Sequence, residues 1–180
     1  MRKTLLVVAV LVCACKDPKG PPIAANKQTL ADSADQVLYN QRMLITDRGL
    51  NRAEILSDTA YFFDENTRTD MRIVHGIFYD SEGKKDAVMT SRTGQYNQRL
   101  NSLEARGDVV ITGMDGRTLV TPHVRYDQRV NLISGDTIFT LTTSDGKILH
   151  GIGFTSDPDL NTMRVLKEIS SKLGPVVIPK

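Results

Sequence analysis

Few side chains in this sequence are spaced for chemistry. The three histidines, His75, His123 and His150, are 48 and 27 residues apart, whereas a zinc site needs ligands that converge and are held by further hydrogen bonds. Gly76 and the run Gly83-Lys84-Lys85 resemble a phosphate-binding loop, but six residues separate the glycines where that motif has four, and no hydroxyl follows the lysine. We therefore expect neither a metal site nor a phosphate loop.

The carboxylates are also poor candidates for catalysis. Asp58, Asp64 and Asp70 lie near turn sequences and are typical of turn caps rather than of a general acid and base. Arg106-Gly107-Asp108 serves cell adhesion only in a flexible loop, and here it falls within a predicted strand. The sequence thus implies no cofactor and no catalytic residue, and we expect that the protein is not an enzyme.

Cys15 is the one residue whose neighbours indicate a modification. The apolar run at positions 4–14 follows Arg2 and Lys3 and ends at Lys16, which is typical of a signal peptide and shorter than the roughly 20 residues of a membrane span. Val12-Cys13-Ala14-Cys15 resembles a bacterial lipobox, in which the cysteine is acylated and becomes the mature N-terminus. We expect a signal peptide at 1–14 and a lipidated N-terminus with its tether at 15–34; an ordinary signal peptide with a chance cysteine is the alternative.

Composition limits the remaining classes. Removing residues 1–14 leaves 21 basic and 21 acidic residues, so the mature chain is formally neutral and has no basic surface of the kind that binds nucleic acid. With 40% hydrophobic and 24% charged residues the chain is typical of a globular protein. Both cysteines, Cys13 and Cys15, lie at the signal boundary, so packing and sheet hydrogen bonds must stabilise the folded part without a disulfide.

From about Asp35 to Thr155 the sequence alternates short apolar–polar segments with turn signals. The pairs Glu82-Gly83, Asp115-Gly116 and Asp145-Gly146 predict two-residue hairpin turns. Looser turns are predicted at 47–49, 65–67, 97–99 and 127–129. No segment of this stretch keeps a helical period, and the pattern predicts an antiparallel all-β meander.

The meander contains an internal repeat. One element runs from a hydroxyl residue to an aromatic residue five positions later, at Ser57–Phe62, Ser91–Tyr96 and Thr121–Tyr126. The other centres on Gly76, Gly107 and Gly135, which are 31 and 28 residues apart. A unit of about 30 residues that holds two strands is typical of a stacked β array in which neighbouring units share one core.

Alternation along the strands predicts an apolar face and a solvated face. The solvated face carries Arg92, Gln95, Arg106, Asp108 and Arg125, although Ile73, Ile77, Tyr79 and Val110 also fall on it, which we attribute to edge effects or a β-bulge. The apolar face is either a groove that binds lipid or a core that its own side chains fill. It comprises Ala60, Phe62, Val74, Phe78, Gly94, Tyr96, Ala105, Val109, Ile111, Val124, Tyr126, Ile133, Phe139 and Leu141.

Three features of the sequence are characteristic of a known family. They are the strands around Ala60, Tyr96 and Tyr126, the strand Ala105–Val110, and most specifically the run His150-Gly-Ile-Gly-Phe-Thr-Ser-Asp-Pro158. With these features the sequence resembles the LptC family of lipopolysaccharide export, which is related to the LptA-type bridge proteins. This resemblance implies a slightly open antiparallel β-jellyroll over residues 35–158.

The resemblance also implies a role. Such a protein receives lipopolysaccharide from the inner-membrane ABC transporter, whose jellyroll meets its N-terminal edge, and passes it to an LptA-like bridge protein at its C-terminal edge. The apolar face would shield the acyl chains. Typical members of the family are held by an N-terminal transmembrane helix, whereas this sequence offers only the lipobox-like signal. We therefore expect a lipid anchor at the periplasmic face of the inner membrane, with the outer membrane as the other address. An LptA-like bridge protein, or a structural or adhesive surface lipoprotein with a closed β core, is the alternative.

The segment 159–180 permits two expectations. Leu160, Met163, Leu166, Ile169 and Leu173 recur at helical spacing after Asp157-Pro158 and before Gly174-Pro175, which predicts a short C-terminal helix. The family resemblance instead implies a strand near residues 163–165.

Overall fold

The computed structural model describes residues 29–47 and 49–169, which form one antiparallel sheet beside a short helix. The strands follow one another across the sheet in chain order, so the first and last strands are the two edges of the described sheet, which is not closed into a barrel. The predicted all-β fold, a slightly open antiparallel β-jellyroll, is confirmed. The elements are α1 Leu30–Ser33, β1 Gln36–Asp47, β2 Leu50–Phe63, β3 Arg68–Tyr79, β4 Lys85–Asn97, β5 Ser102–Gly113, β6 Thr118–Asp127, β7 Leu132–Thr142, β8 Ile148–Ser156 and β9 Arg164–Glu168.

The glycine hairpins occur where the sequence predicts them, but their loops have three residues rather than two. Asp80 N–H donates to the Lys84 carbonyl at 2.9 Å, which leaves residues 81–83 as the loop, and Gly83 has φ +80°. The same closure joins Gly113 to Arg117 and Thr143 to Lys147. A type I turn followed by a left-handed glycine builds such a loop, so glycine takes the third loop position and the prediction of two-residue turns is wrong.

A bend line crosses the middle of the strands. On it the backbone enters the left-handed region at Asn40 in β1, Ile73 in β3, Gly107 and Asp108 in β5, and Gly153 in β8. The pairing registers from β4 through β8 are interrupted along the same line. Because left-handed residues and interrupted pairing kink a strand, the sheet folds over at this line. Ile73 lies on it with 59% of its surface exposed, which accounts for one apolar residue predicted on the solvated face.

The internal repeat corresponds to this bend. Ser57, Ser91 and Thr121 are buried although polar, and each is the last inward residue before its strand bends. Ser91 Oγ donates to the Thr93 carbonyl at 3.0 Å, and Thr121 Oγ1 lies 3.0 Å from the Ile138 carbonyl on β7. The hydroxyls of Ser91 and Thr121 thus bond backbone carbonyls beside the interrupted pairing, whereas Ser57 Oγ donates to Gln41 Oε1 of β1 at 3.1 Å.

The bend divides the sheet into two half-sheets that face each other. The first half-sheet adjoins the turns after β1, β3, β5 and β7; the second adjoins the turns after β2, β4, β6 and β8. Phe78 of the first half-sheet meets Tyr126 of the second with ring centroids 5.1 Å apart, and Phe139 meets Phe154 at 5.4 Å, both edge to face. The core of the protein is the space between the half-sheets.

The predicted C-terminal helix is wrong in the part that the structure describes. After β8 the chain turns at residues 158–162 and then adds β9 to the sheet, with Val165 opposite Phe154. Leu160 is buried in the turn, whereas Leu166 lies against Gly153 at the bend. The spacing that suggested one helical face thus serves two different contacts. Residues 170–180, the signal peptide, Cys15 and the tether up to residue 28 lie outside the described residues.

Candidate functional site

The candidate site is the interior between the half-sheets. All fourteen residues predicted for the apolar face point into it, from Ala60 on β2 to Leu141 on β7. Twelve of them are buried, whereas Phe62 and Tyr96 are half-buried and pack against the rest. The structure therefore brings the predicted residues together in one continuous apolar cluster.

Sequence reasoning missed several members of this cluster. Met89 and Leu119 lie two positions before the repeat hydroxyls Ser91 and Thr121, so counting in twos backwards from those hydroxyls would have found them, whereas counting across the bend from Gly94 or Val124 does not. Leu160 comes from the turn after β8 and no strand pattern could indicate it. The missed members are Ile45, Ala53, Ile55, Met71, Ala87, Met89, Leu103, Leu119, Phe154 and Leu160.

Small residues in the interior are packed against their neighbours. A Cβ added to Gly94 would lie 3.1 Å from Val74 Cγ2 and 3.4 Å from the Met71 Cε methyl. Ala105, which pairs with Gly94, is 2% exposed. The glycine and alanine that the sequence suggested as groove lining thus make room for side chains of β3.

The tyrosines keep the interior uncharged. Tyr126 Oη donates to Asn131 Oδ1 at 3.0 Å, and burial raises the pKa of Tyr126 to about 12. Burial also raises the pKa of Tyr96. Both rings remain neutral at physiological pH, so they present aromatic surface and no phenolate to whatever lies between the half-sheets.

The ends of the two half-sheets that lie away from the bend line are their outer margins, and the opening between these margins is the mouth of the folded sheet. The margins contact each other across the mouth, and we call this line of contact the seam. Gln128 Nε2, in the turn after β6, donates to the Thr46 carbonyl of β1 at 2.8 Å. Arg117 Nη1, in the turn after β5, donates to the Leu160 carbonyl in the turn after β8 at 2.8 Å. These two hydrogen bonds join residues 82 and 43 positions apart in the chain.

Carboxylates crowd the seam around Leu160. Burial, and then the negative charges of Asp159 and Asp80, raise the pKa of Asp86 to about 6. Burial and contact with Asp157 also raise the pKa of Asp159. Asp157 itself accepts hydrogen bonds from the Thr162 backbone N–H at 3.0 Å and hydroxyl at 2.8 Å. This end of the seam therefore holds proton-sensitive carboxyl groups.

The two edge strands differ in character. β1 exposes the apolar residues Leu38, Tyr39 and Leu44, with Tyr39 74% exposed. β9 has five residues, of which only Val165 is half-buried. Since each edge strand pairs on one side only within the described residues, both present backbone donors and acceptors to a further strand.

The histidines lie on three separate strands. His75 is exposed on β3, and His150 Nδ1 on β8 lies 3.0 Å from Thr140 Oγ1. His123 on β6 lies between Asp136 and Glu104, with nitrogen–oxygen distances of 3.5 and 3.7 Å. Within residues 29–47 and 49–169, no group of three or more histidines, cysteines and carboxylates is arranged to hold a metal ion.

Comparison with known proteins identifies the family. In the described part of the chain, no helix has the length and apolar composition to cross a membrane. A family model described as lipopolysaccharide-assembly, LptC-related, matches residues 4–172. The chain belongs to the LptC family. No match was found among curated proteins. The LptC family takes part in lipopolysaccharide transport, is periplasmic and associated with the inner membrane, and is not a known enzyme family.

The structure explains the run of the sequence that most resembles LptC. Gly151 pairs with Phe139 and Phe154 pairs with Gly135, so each ring of the 5.4 Å aromatic pair lies over a glycine of the neighbouring strand. Gly153, with φ +71°, takes the bend of β8. The Gly-x-Gly-Phe pattern therefore combines a position under the Phe139 ring that must lack a side chain, Gly151, with the bend at Gly153 and with the Phe154 ring, which covers Gly135 of β7.

A first prediction concerns Gly151. Its added Cβ would lie 2.6 Å from the Phe139 ring, so Gly151→Ala should lower the free energy of unfolding by about 2 kcal/mol. Gly146→Ala is the control, because Gly146 has φ +81° but open space around it and should cost only about 1 kcal/mol. Urea denaturation measures both. Adding Phe139→Leu to Gly151→Ala should cost less than the sum of the single changes; additive losses would contradict the ring contact.

A second prediction concerns Asp86. Because its pKa is about 6 in the folded protein and near 3.8 when unfolded, its protonated form stabilises the fold below about pH 4, and this contribution is lost as the pH rises to 6. Asp86→Asn should therefore be more stable than the parent at pH 7, by about 1 kcal/mol after allowance for solvent screening, and equal to it at pH 3.5.

Unfolding free energies measured from pH 3.5 to 7.5 test this difference. Asp145→Asn is the control, since Asp145 lies in another turn, pairs with Lys147 at 2.7 Å, and its loss should not stabilise the protein. A parent and an Asp86→Asn variant whose stabilities differ by a constant amount across the range would contradict the predicted ionisation.

Proposed function

We propose that this protein receives lipopolysaccharide from the inner-membrane ABC transporter and passes it along a periplasmic bridge of β-jellyrolls. The observation that carries the proposal is the continuous apolar cluster between the half-sheets of an open sheet. Lipopolysaccharide carries several acyl chains, and each methylene exposed to water costs about 0.8 kcal/mol. An apolar interior that is not sealed into a barrel supplies the surface that shields them.

The proposed lipid-binding residues are the fourteen predicted from alternation. Phe62 and Tyr96 are half-buried, so they lie where an acyl chain can enter without first displacing a fully buried side chain. Val109, Ile111 and Ile133 are 0% exposed and become contacts only when the half-sheets separate. Separation breaks few polar bonds, since the hydrogen bonds of Gln128 and Arg117 that join the margins are each worth about 1 kcal/mol.

The edge strands supply the partners in this proposal. A strand from the transporter jellyroll pairs with β1, where Leu38, Tyr39 and Leu44 offer exposed apolar contacts. An LptA-like bridge protein pairs with β9. Strand addition gives affinity through backbone hydrogen bonds, and it extends the same apolar interior from one jellyroll to the next.

A second candidate is a structural surface lipoprotein with a closed β core. The observation that favours it is the complete burial of Val109 and Ile133 between half-sheets that already contact each other. The two candidates make opposite predictions about contact between these residues and lipid.

In-cell photocrosslinking separates them. We expect benzoylphenylalanine at Val109 to give an ultraviolet-dependent lipopolysaccharide adduct, and the same residue at Arg106, which pairs with Glu104 on the outer face, to give none. Phe62 is a second test position, because the probe replaces a half-buried ring there and disturbs packing least. Folded, correctly localised variants without adducts at Val109 and Phe62 would contradict the transport proposal and favour the closed core.

We also propose that Cys15 is lipidated and holds the domain at the periplasmic face of the inner membrane. The support is the Val12-Cys13-Ala14-Cys15 run. In cells that lack the transporter, the acyl chains on Cys15 would be the remaining anchor of the parent protein. In such cells Cys15→Ala should therefore move the protein from the membrane fraction to the soluble periplasmic fraction. Ser170→Ala is the control; equal membrane association of both variants would exclude the lipid anchor.

A further inference from the structure

The turn between β8 and β9 spans the mouth of the folded sheet. It begins at Asp157, directly after β8 in the second half-sheet, and ends at Thr162. It reaches the first half-sheet, where Arg117 Nη1 donates to the Leu160 carbonyl at 2.8 Å. A Cβ added to Gly113 would lie 2.7 Å from the carbonyl oxygen of residue 159, so the turn lies directly on the end of β5.

Leu160 closes the interior at this place. Its side chain is 2% exposed and belongs to the apolar cluster. Its backbone, with φ +66°, lies in the left-handed region that is unfavourable for a bulky side chain. Burial of the side chain offsets this cost only while the turn lies on the mouth. When the turn lifts away, the burial and the hydrogen bond from Arg117 are lost together.

The turn is bonded mainly to itself. The Asp157 carboxylate accepts hydrogen bonds from the Thr162 backbone N–H at 3.0 Å and hydroxyl at 2.8 Å. Leu160 N–H donates to the Asp157 carbonyl at 3.2 Å. Within the described part of the chain, the hydrogen bond from Arg117 is the one that joins this turn to the first half-sheet. The turn can therefore move as a unit when that bond and the Leu160 contacts break.

Ionised carboxyl groups oppose the closed position of the turn. Asp86, near the start of β4, has its pKa raised to about 6 by burial and then by the negative charge of Asp159. The other carboxylates that act on it come from the turns after β3, β5 and β8 and are Asp80, Asp115 and Asp157. Lys84 and Arg117 in these turns pair instead with Glu82 at 2.7 Å and with Asp115 at 2.9 Å. Because the turn brings Asp159 towards Asp86, ionisation of both favours the position in which the turn is lifted away.

We propose that the turn 157–162 is a lid on the mouth of the interior, closed when Leu160 is inserted and opened by ionisation of Asp86 and Asp159. Opening uncovers the apolar cluster at one end of the seam, while the half-sheets stay packed through Phe78 and Tyr126. The lid therefore differs from separation of the half-sheets, which also breaks the hydrogen bond from Gln128 to β1. This inference concerns a movement of the chain itself and does not depend on lipid transport.

Distances between two spin labels on the purified full chain, measured by double electron–electron resonance, test the lid. The labels are attached through Asn161→Cys on the lid and Met114→Cys in the turn after β5, both exposed positions, and the native cysteines at 13 and 15 are changed to serine. We expect one short distance at pH 4.5 and an added longer distance at pH 7.5. The ratio of open to closed lid should rise about tenfold, as it would if opening lowered the pKa of Asp86 by about one unit. The control pair, Val130→Cys and Leu50→Cys, lies across the other end of the seam on exposed positions and should keep one distance.

Two variants separate the contributions to closure. Arg117→Ala removes the hydrogen bond to the lid and should raise the open population at pH 4.5, whereas Asp86→Asn should lower it at pH 7.5. Gln128→Ala removes the hydrogen bond at the other end of the seam and is the matched control, which should leave the distance from 161 to 114 unchanged. One unchanging distance for that pair in the parent and in Arg117→Ala overturns the lid. Equal lengthening of both label pairs overturns it as well, since the half-sheets would then separate as a whole, and an Asp86→Asn variant with the parent's pH dependence overturns the assigned trigger.

Discussion

The bend line is the constraint on which the rest of this structure depends. A sheet that folds over must interrupt its hydrogen-bond ladder in successive strands, and each interruption leaves backbone groups that need other partners. Glycines at 107 and 153 permit the left-handed backbone there, and the hydroxyls of Ser91 and Thr121 bond the freed carbonyls. Ile73 adopts φ +50° without being glycine, which costs roughly 1–2 kcal/mol and shows that the rest of the fold overrides local preference at that point.

Folding at the bend makes one apolar interior from two half-sheets, and packing rather than the seam holds them together. Edge-to-face pairs such as Phe78 with Tyr126 join residues of opposite half-sheets. At the margins, Gln128 and Arg117 each donate one hydrogen bond across the seam. The carboxyl groups of Asp86 and Asp159 lie at one end of the seam, and their ionisation there is unfavourable. Apolar packing, which extends to the outer ends of β3 and β6 at Phe78 and Tyr126, therefore joins the half-sheets more strongly than the polar contacts of the seam do.

Alternation and turn residues were enough to predict the strands, their order and the inward face, because a two-residue period with a buried side is a strong signal. They did not predict the bend. In β3 the buried residues Met71 and Val74 are three positions apart, so the two-residue alternation is interrupted at Ile73, and a count in twos does not show why. The Ser/Thr-to-aromatic repeat marks the bend, but the sequence alone indicated only a repeat. The C-terminal helix failed for a related reason: Leu160 and Leu166 satisfy a helical period, but their contacts are with the seam and with Gly153. A helical spacing of apolar residues therefore does not by itself show that those residues cover the same surface.

A filled interior and a lipid path are compatible in this fold. An acyl chain that enters between the half-sheets replaces contacts between apolar side chains by contacts of the same kind, so the exchange costs little beyond the separation of the margins. Met71 and Met89 lie in the cluster, and their flexible thioethers adapt to a changed neighbour more readily than branched side chains do. Closing the sheet into a barrel would remove both the mouth and the edges β1 and β9. An open sheet keeps all three. Within the described residues β1 and β9 each pair on one side only, so pairing with further strands would lengthen the apolar surface along the lipid path that we propose.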